Sequence, residues 1–176
     1  MIKDVKIVAV AHCILNQCTR WWNEEKELSK GMLFEVVKKI SDMKIGIYQL
    51  PCPEILFLGN PRIELTKDEY NALVGFREHA KKLALKVASE IEELISKSRN
   101  PKIHLSGILG LSRSPNCSCY TAPLKGGMGI FFEELIFELN KRGFSFHLFD
   151  VDVKDLKRSL IDLDKLHGDN SSKFAR

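Results

Sequence analysis

Cysteine is the residue whose number and spacing give this chain its clearest chemical potential. The 176-residue sequence contains five, at positions 13, 18, 52, 117 and 119. An odd number cannot be fully paired, and in a reducing compartment disulfides are rare. Metal binding and catalysis are therefore the competing roles, with burial of single cysteines in the core as the alternative.

Three of the cysteines follow predicted strands. The runs 6–11, 45–50 and 103–109 are short, apolar and rich in β-branched residues, as buried strands are. Strands that alternate with helices predict a parallel sheet, and all strands of such a sheet end at one edge, where ligands bind. We therefore expect three thiols to converge there: Cys13, Cys52 and Cys117.

Helical patterns occupy most of the remaining sequence. Thr66 and Glu69 have the spacing of a capping box at the start of one long helix that runs to about Ser98. Ser29 is a candidate cap for the helix before the second strand, and Gly143 for the end of a helix over 130–139. A fourth strand over 144–149 and a last helix over 153–166 complete the prediction.

These elements predict an α/β fold, a single-domain Rossmann-like sandwich. Its mostly parallel sheet has four strands or slightly more, with helices on its faces. The domain covers residues 1–167, and the polar residues 168–176 form a flexible tail.

Composition narrows the classes of partner. The net charge of +4 is small and scattered, so direct nucleic-acid binding is not expected. No run is apolar for the roughly 20 residues of a membrane span, and no signal-peptide pattern is present. We expect a cytoplasmic protein that does not bind membranes, either a monomer or a homodimer.

Three thiols without a clear fourth ligand fit a [4Fe–4S] cluster with one open iron, which can bind substrate as a Lewis acid. Zinc is the second choice, because structural zinc takes four ligands, commonly in close C-x₂-C pairs. The spacings C-x₄-C and C-x-C that involve Cys18 and Cys119 are different. Each of these two cysteines remains open as an extra sulfur ligand, a sulfur acceptor or a bystander.

The cysteine loops resemble the motifs of the thiouracil desulfidase family, formerly described as a domain of unknown function. Residues 13–16 and 20–22 match its first motif, Cys-Leu-Leu-Gly followed by an Arg-Tyr-Asp-Gly-like stretch. Residues 52–54 and 59–62 match Cys-Pro-Glu, a glycine-bearing stretch and Pro-Arg, and residues 114–118 match Ser-Pro-Ser-Cys-Gly. The order and position of the motifs agree over about residues 5–150.

The resemblance implies non-redox desulfuration of a small thiolated pyrimidine base or nucleotide, from C=S to C=O with release of hydrosulfide. An open, thiophilic iron would polarise the carbon for attack by water. Glu54, two residues from a cluster ligand, would take the proton from that water, and Ser114 would orient water or substrate. Residues that could contact substrate, including its anionic groups, are Ser112, Arg20, Arg62, Arg113 and Lys125.

Other functions remain open from the sequence. The cluster could store or deliver sulfur or electrons without desulfidase turnover. A zinc-binding structural module is a second alternative. An enzyme with a cysteine nucleophile is a third, although no histidine is identifiable as the partner of that cysteine.

Overall fold

Residues 4–22, 30–122 and 127–167 are described by the computed structural model. Within them, four strands form one parallel sheet in the order β2-β1-β3-β4. The predicted α/β fold with a parallel sheet is therefore confirmed. The strands are β1 Val5–Val10, β2 Gly46–Gln49, β3 Ile103–Leu111 and β4 His147–Val151.

The two central strands carry the core. β1 and β3 have neighbours on both sides, and their apolar side chains are almost completely buried from Val8 and Leu105 onward. A register shift lies between Ile7 and Val8 where β1 pairs with β3. Burial on both faces explains why these strands are continuous apolar runs rather than alternating ones.

Seven α-helices in the described residues flank or connect the strands. α5 (Phe76–Lys97) and α6 (Ile130–Lys141) pack against each other, and α2 (Phe34–Asp42) packs against α7 (Leu156–Asp162). Crossovers between parallel strands are right-handed as a rule, so α2 is expected on one face and α5 and α6 on the other, in agreement with these contacts. The helices are α1 His12–Leu15, α2 Phe34–Asp42, α3 Pro53–Leu58, α4 Lys67–Ala72, α5 Phe76–Lys97, α6 Ile130–Lys141 and α7 Leu156–Asp162.

The predicted single helix from Thr66 to about Ser98 is two helices. Its capping box is confirmed, since the Thr66 hydroxyl accepts from the Glu69 backbone N–H and the Glu69 carboxylate accepts from the Thr66 backbone N–H. α4 ends at Ala72, however, and Gly75 has the left-handed φ of 82° that favours glycine. The break lets Tyr70 and Phe76 both enter the core, with ring centroids 4.7 Å apart. Six residues apart, they would not share a face of one continuous helix.

β4 and the last helix are shorter than predicted. Gly143, with a φ of 80°, ends α6 as expected. The Phe144 N–H then donates to the Leu139 carbonyl, so this residue belongs to the connection after α6. β4 begins at His147 rather than at residue 144. Asp155 caps α7, and a 3-10 turn follows at Leu163–His167 in place of one continuous last helix.

Some predictions fall outside the described residues. Ser29 is one of them, while the helix that it was expected to cap begins at Phe34. The tail 168–176 also lies outside them. No helix of the described residues is long and apolar enough to cross a lipid bilayer.

Candidate functional site

Three cysteines occupy equivalent positions after three neighbouring strands. Cys13 lies in α1, directly after β1, and Cys52 is the N-cap residue of α3, after β2. Cys117 lies in the turn that follows β3. Parallel strands place these positions at the same edge of the sheet.

The three cysteines line one cavity of about 500 Å³. Predicted site residues from all three loops line the cavity with them, and so do unpredicted ones such as Lys154. A volume of this size is typical of small-molecule sites. The predicted site residues on the cavity wall are Cys13, Cys52, Cys117, Glu54, Ser112, Ser114, Arg20, Arg62 and Arg113.

Close backbone packing positions the turn that carries Cys117. The Cys117 carbonyl accepts from the Leu111 N–H at 2.9 Å, and its N–H donates to the Ser114 hydroxyl at 2.9 Å. A Cβ at Gly110 would lie 2.4 Å from the Cys117 oxygen, and one at Gly129 would lie 2.3 Å from the Asn116 carbonyl carbon. Glycine is therefore required at both positions because the turn passes directly against them.

Asp150, which the sequence analysis missed, holds the other end of this turn. At the end of β4, one carboxylate oxygen accepts from the Cys119 N–H at 2.7 Å. The other accepts from the Tyr120 N–H at 3.0 Å and from the Ser118 hydroxyl at 2.9 Å. A carboxylate at the carboxyl end of a strand was a signal that could have identified it.

Glu54 and Arg62 form an ion pair on the cavity wall. Arg62 donates to Glu54 Oε2 from Nη2 at 2.9 Å, and Asn116 donates to Glu54 Oε1 at 3.1 Å. Burial opposes the charge on Arg62, but Glu54 outweighs it and raises the pKa of Arg62. Burial, and then Glu54, also raise the pKa of the nearby Tyr70 hydroxyl. The Oδ1 atom of Asn116 is buried without a partner among the described residues.

Ser114 and the predicted cations other than Arg62 differ in the hydrogen bonds and ion pairs that they make. The Ser114 oxygen accepts from two backbone N–H groups, which leaves its own proton available as a donor. Arg113, with a left-handed φ of 65°, pairs with Asp152 at 2.8 Å. Among the described residues, the Arg20 side chain makes a single long hydrogen bond, of 3.4 Å, to Gln17. Lys125 lies outside the described residues.

Neither Cys18 nor Cys119 lines the cavity. Cys18 is exposed, in a 3-10 turn after α1. Cys119 is buried, and its sulfur lies 3.3 Å from the Phe149 carbonyl, between β3 and β4. Neither cysteine therefore adds a sulfur to the cavity wall.

The environment of the three cavity thiols favours their neutral form. The loss of water around its sulfur raises the pKa of Cys13 to about 12, and Cys52 and Glu54 add to the rise. Burial, and then Glu54, raise the pKa of Cys52. Burial also raises the pKa of Cys117, followed by the effects of Cys52 and Cys13. The three sulfurs are thus close enough to influence one another, and a cation bound among them would favour their thiolates.

The donor set fits an iron–sulfur cluster by its chemistry. In the described residues, no three His, Cys, Asp or Glu side chains approach closely enough to hold a single metal ion. A cluster places its own irons and sulfides between the thiolates, so its ligands stand farther apart than those of one ion. Three soft thiols that line one cavity without forming a single-ion site are ligands of the kind that such a cluster takes.

Comparison with known proteins gives one relative. No family model matches the chain, and no solved structure matches it. The uncharacterized protein MJ0003 of Methanocaldococcus jannaschii is 34% identical over 140 residues, which are 80% of this chain and 81% of that protein. The chain therefore belongs to the same family as MJ0003.

Proposed function

We propose that this protein is a desulfidase that removes sulfur from a thiolated pyrimidine base or nucleotide, with a [4Fe–4S] cluster held by Cys13, Cys52 and Cys117. The observation that carries the proposal is that these three cysteines, from three separate loops, line one cavity with the largely buried carboxylate of Glu54 and its partner Arg62. The cytoplasm suits such a protein, because it keeps thiols reduced.

The bound cluster would supply an open, thiophilic iron that polarises a C=S bond. The other parts of the reaction fall to the chain. Glu54 is the carboxylate on the cavity wall that would take a proton from the attacking water. Arg62 and Asn116 hold its two oxygens in a fixed position. Ser114 would donate its free proton to substrate or water.

The shape and charge of the cavity support a small, anionic or polar substrate. Its volume of about 500 Å³ lies within the range of small-molecule sites. Four cationic side chains line it, two of which already face carboxylates. Within the described part of the chain, Arg20 and Lys154 form no ion pair, so these two cations would meet a phosphate or another anionic group on the substrate.

The extensive hydrogen bonding of Glu54 favours one alternative function, a cluster protein that carries sulfur or electrons without desulfidase turnover. A carboxylate that accepts two bonds from Arg62 and one from Asn116 has little capacity left for a proton from water. A cluster protein that carries sulfur or electrons would not need that capacity. Glu54→Gln separates the two functions, because it should abolish desulfuration while it leaves sulfur or electron transfer intact.

The first test is anaerobic reconstitution, followed by visible spectroscopy and by iron and sulfide analysis. The wild type should turn brown and hold about four irons and four sulfides per chain. Cys13→Ala, Cys52→Ala and Cys117→Ala should each lose the absorption, while Cys18→Ala and Cys119→Ala should keep it. Hydrosulfide release from thiouracil and its nucleotides is then measured. A colourless wild type that retains zinc would establish the structural alternative instead.

A further inference from the structure

His12 lies between two spaces at the carboxyl edge of the sheet. It is the first residue of α1 and directly precedes Cys13. Its side chain lines the cysteine cavity and also an outer groove beside β2, which Gln49 lines as well. Cys52 lines the same two spaces. His12 is therefore adjacent in sequence to one proposed cluster ligand, Cys13, and shares both spaces with another, Cys52.

Gln49 decides which ring nitrogen of His12 carries the proton. Its side-chain Nε2 lies 2.8 Å from His12 Nδ1. In this orientation of the Gln49 amide, Nε2 donates and Nδ1 accepts, so a neutral ring carries its proton on Nε2. Gln49 thus fixes His12 as a donor at Nε2 through a hydrogen bond made outside the cavity.

The Nε2 donor has no acceptor within the described part of the chain, although it is buried. A buried donor without an acceptor is unfavourable by an amount comparable to a lost hydrogen bond. Because His12 lines the candidate site, this donor is open to an acceptor that the ligand brings. Sulfur is the chemistry of this cavity, because Cys13, Cys52 and Cys117 line it together with His12.

We propose that His12 donates a hydrogen bond from Nε2 to an anionic sulfur in the cavity, and that Gln49 positions it for this task. The inference rests on the proposed function, which supplies the sulfur. Two sources share this chemistry: a thiolate or sulfide of the resident cluster, and the sulfur released from substrate. His12 is a positioning residue for the first and a binding residue for the second.

The test compares His12→Phe, which keeps a flat ring without the donor, with wild type after anaerobic reconstitution. If the acceptor belongs to the cluster, the affinity for iron, measured by equilibrium competition with a chelator, should fall about 10- to 100-fold. Losses of this size occur when hydrogen-bond partners of metal ligands are removed. The reduction potential should also fall, because hydrogen bonds to the sulfurs stabilise the reduced state. If the acceptor is the released sulfur, these properties should stay unchanged, while the affinity for added hydrosulfide should drop about tenfold.

Two further measurements make the inference falsifiable. His104→Phe is the matched control, because His104 pairs with Asp4 where β3 begins and should change nothing at the cavity. Nitrogen NMR of the metal-free protein should place the His12 proton on Nε2, and Gln49→Leu should redistribute it. A proton on Nδ1 would overturn the inference about His12 but not the proposed function. The same holds if His12→Phe equals wild type in iron affinity, reduction potential and hydrosulfide affinity. A wild type that takes up no iron and sulfide would overturn the proposed function with it.

Discussion

Arg62 donates two hydrogen bonds to a single carboxylate oxygen of Glu54, from Nε at 3.1 Å and from Nη2 at 2.9 Å. The two side chains are only 5% and 12% exposed. Arg62 Nη1 also donates to the Thr19 carbonyl and to Asn60 Oδ1, each at 2.7 Å. One guanidinium therefore joins the loops after β1 and β2 at the cysteine cavity, in the fork geometry that lysine cannot reproduce.

The first prediction removes this guanidinium. Arg62→Met should lower the free energy of unfolding by about 3 kcal/mol, because it leaves the Glu54 carboxylate buried without its ion-pair partner. Urea denaturation measures the change. Glu54→Gln in the same background should recover part of the loss. Arg77→Met is the control, since Arg77 makes exposed pairs, and it should cost less than about 1 kcal/mol. Equal losses of unfolding free energy in Arg62→Met and Arg77→Met would contradict the special role of the Glu54–Arg62 ion pair.

A second prediction concerns the packing of the Cys117 turn. Gly129 has a φ of −70°, which alanine also adopts, so only contact restricts this position. The added Cβ of Gly129→Ala would lie 2.7 Å from the Cys117 nitrogen, and the turn would have to move. We expect a loss of about 2 kcal/mol in unfolding free energy, typical of overpacking, and reduced iron uptake. Gly46→Ala should be milder, because its Cβ meets a movable Ile7 methyl at 3.1 Å. Normal iron uptake by Gly129→Ala would refute the contact argument.

The third prediction tests Asp150 as the anchor of the same turn. Asp150→Ala removes the acceptor of the Cys119 and Tyr120 N–H groups and should cost about 3 kcal/mol, as expected for hydrogen bonds to a charged group. The buried Cys119 thiol should then react faster with an alkylating reagent, which mass spectrometry can follow. Asp155→Ala removes only the cap of α7 and should cost about 1 kcal/mol. Unchanged alkylation of Cys119 in Asp150→Ala would argue against the anchor.

The fourth prediction concerns pH and the metal-free protein. A thiol in the unfolded chain loses its proton near the ordinary cysteine pKa of 9.0, whereas folded Cys13 keeps it until about 12. Between these values the folded state binds more protons, so the free energy of unfolding must decrease as pH rises. The contribution of Cys13 to the free energy of unfolding is fully present below pH 9 and is lost as the pH rises toward 12. Urea midpoints across this range should fall less steeply for Cys13→Ala than for wild type. Parallel pH profiles for the two proteins would refute the contribution of Cys13.

The sequence by itself determined the class of fold and the edge at which the cysteines lie. Buried parallel strands are short apolar runs, and that pattern is local, so β1, β2 and β3 were recognisable. The capping box of Thr66 and Glu69 was recognisable for the same reason, since its partners lie within one helical turn. The positions of Cys13, Cys52 and Cys117 followed from these strands and from the rule that parallel strands end at one edge.

Only the tertiary structure decided how that edge is held together. The break before Phe76 depends on burial of its ring against Tyr70, which a periodic apolar pattern cannot show. Asp150 contacts the Cys117 turn from a strand about 30 residues away in the chain, and Asn116 reaches Glu54 across 62 residues. Cys119 has the same side chain as Cys117, yet it packs between strands instead of at the cavity. Such contacts are set by packing between distant segments, whereas sequence patterns report the preferences of neighbouring residues.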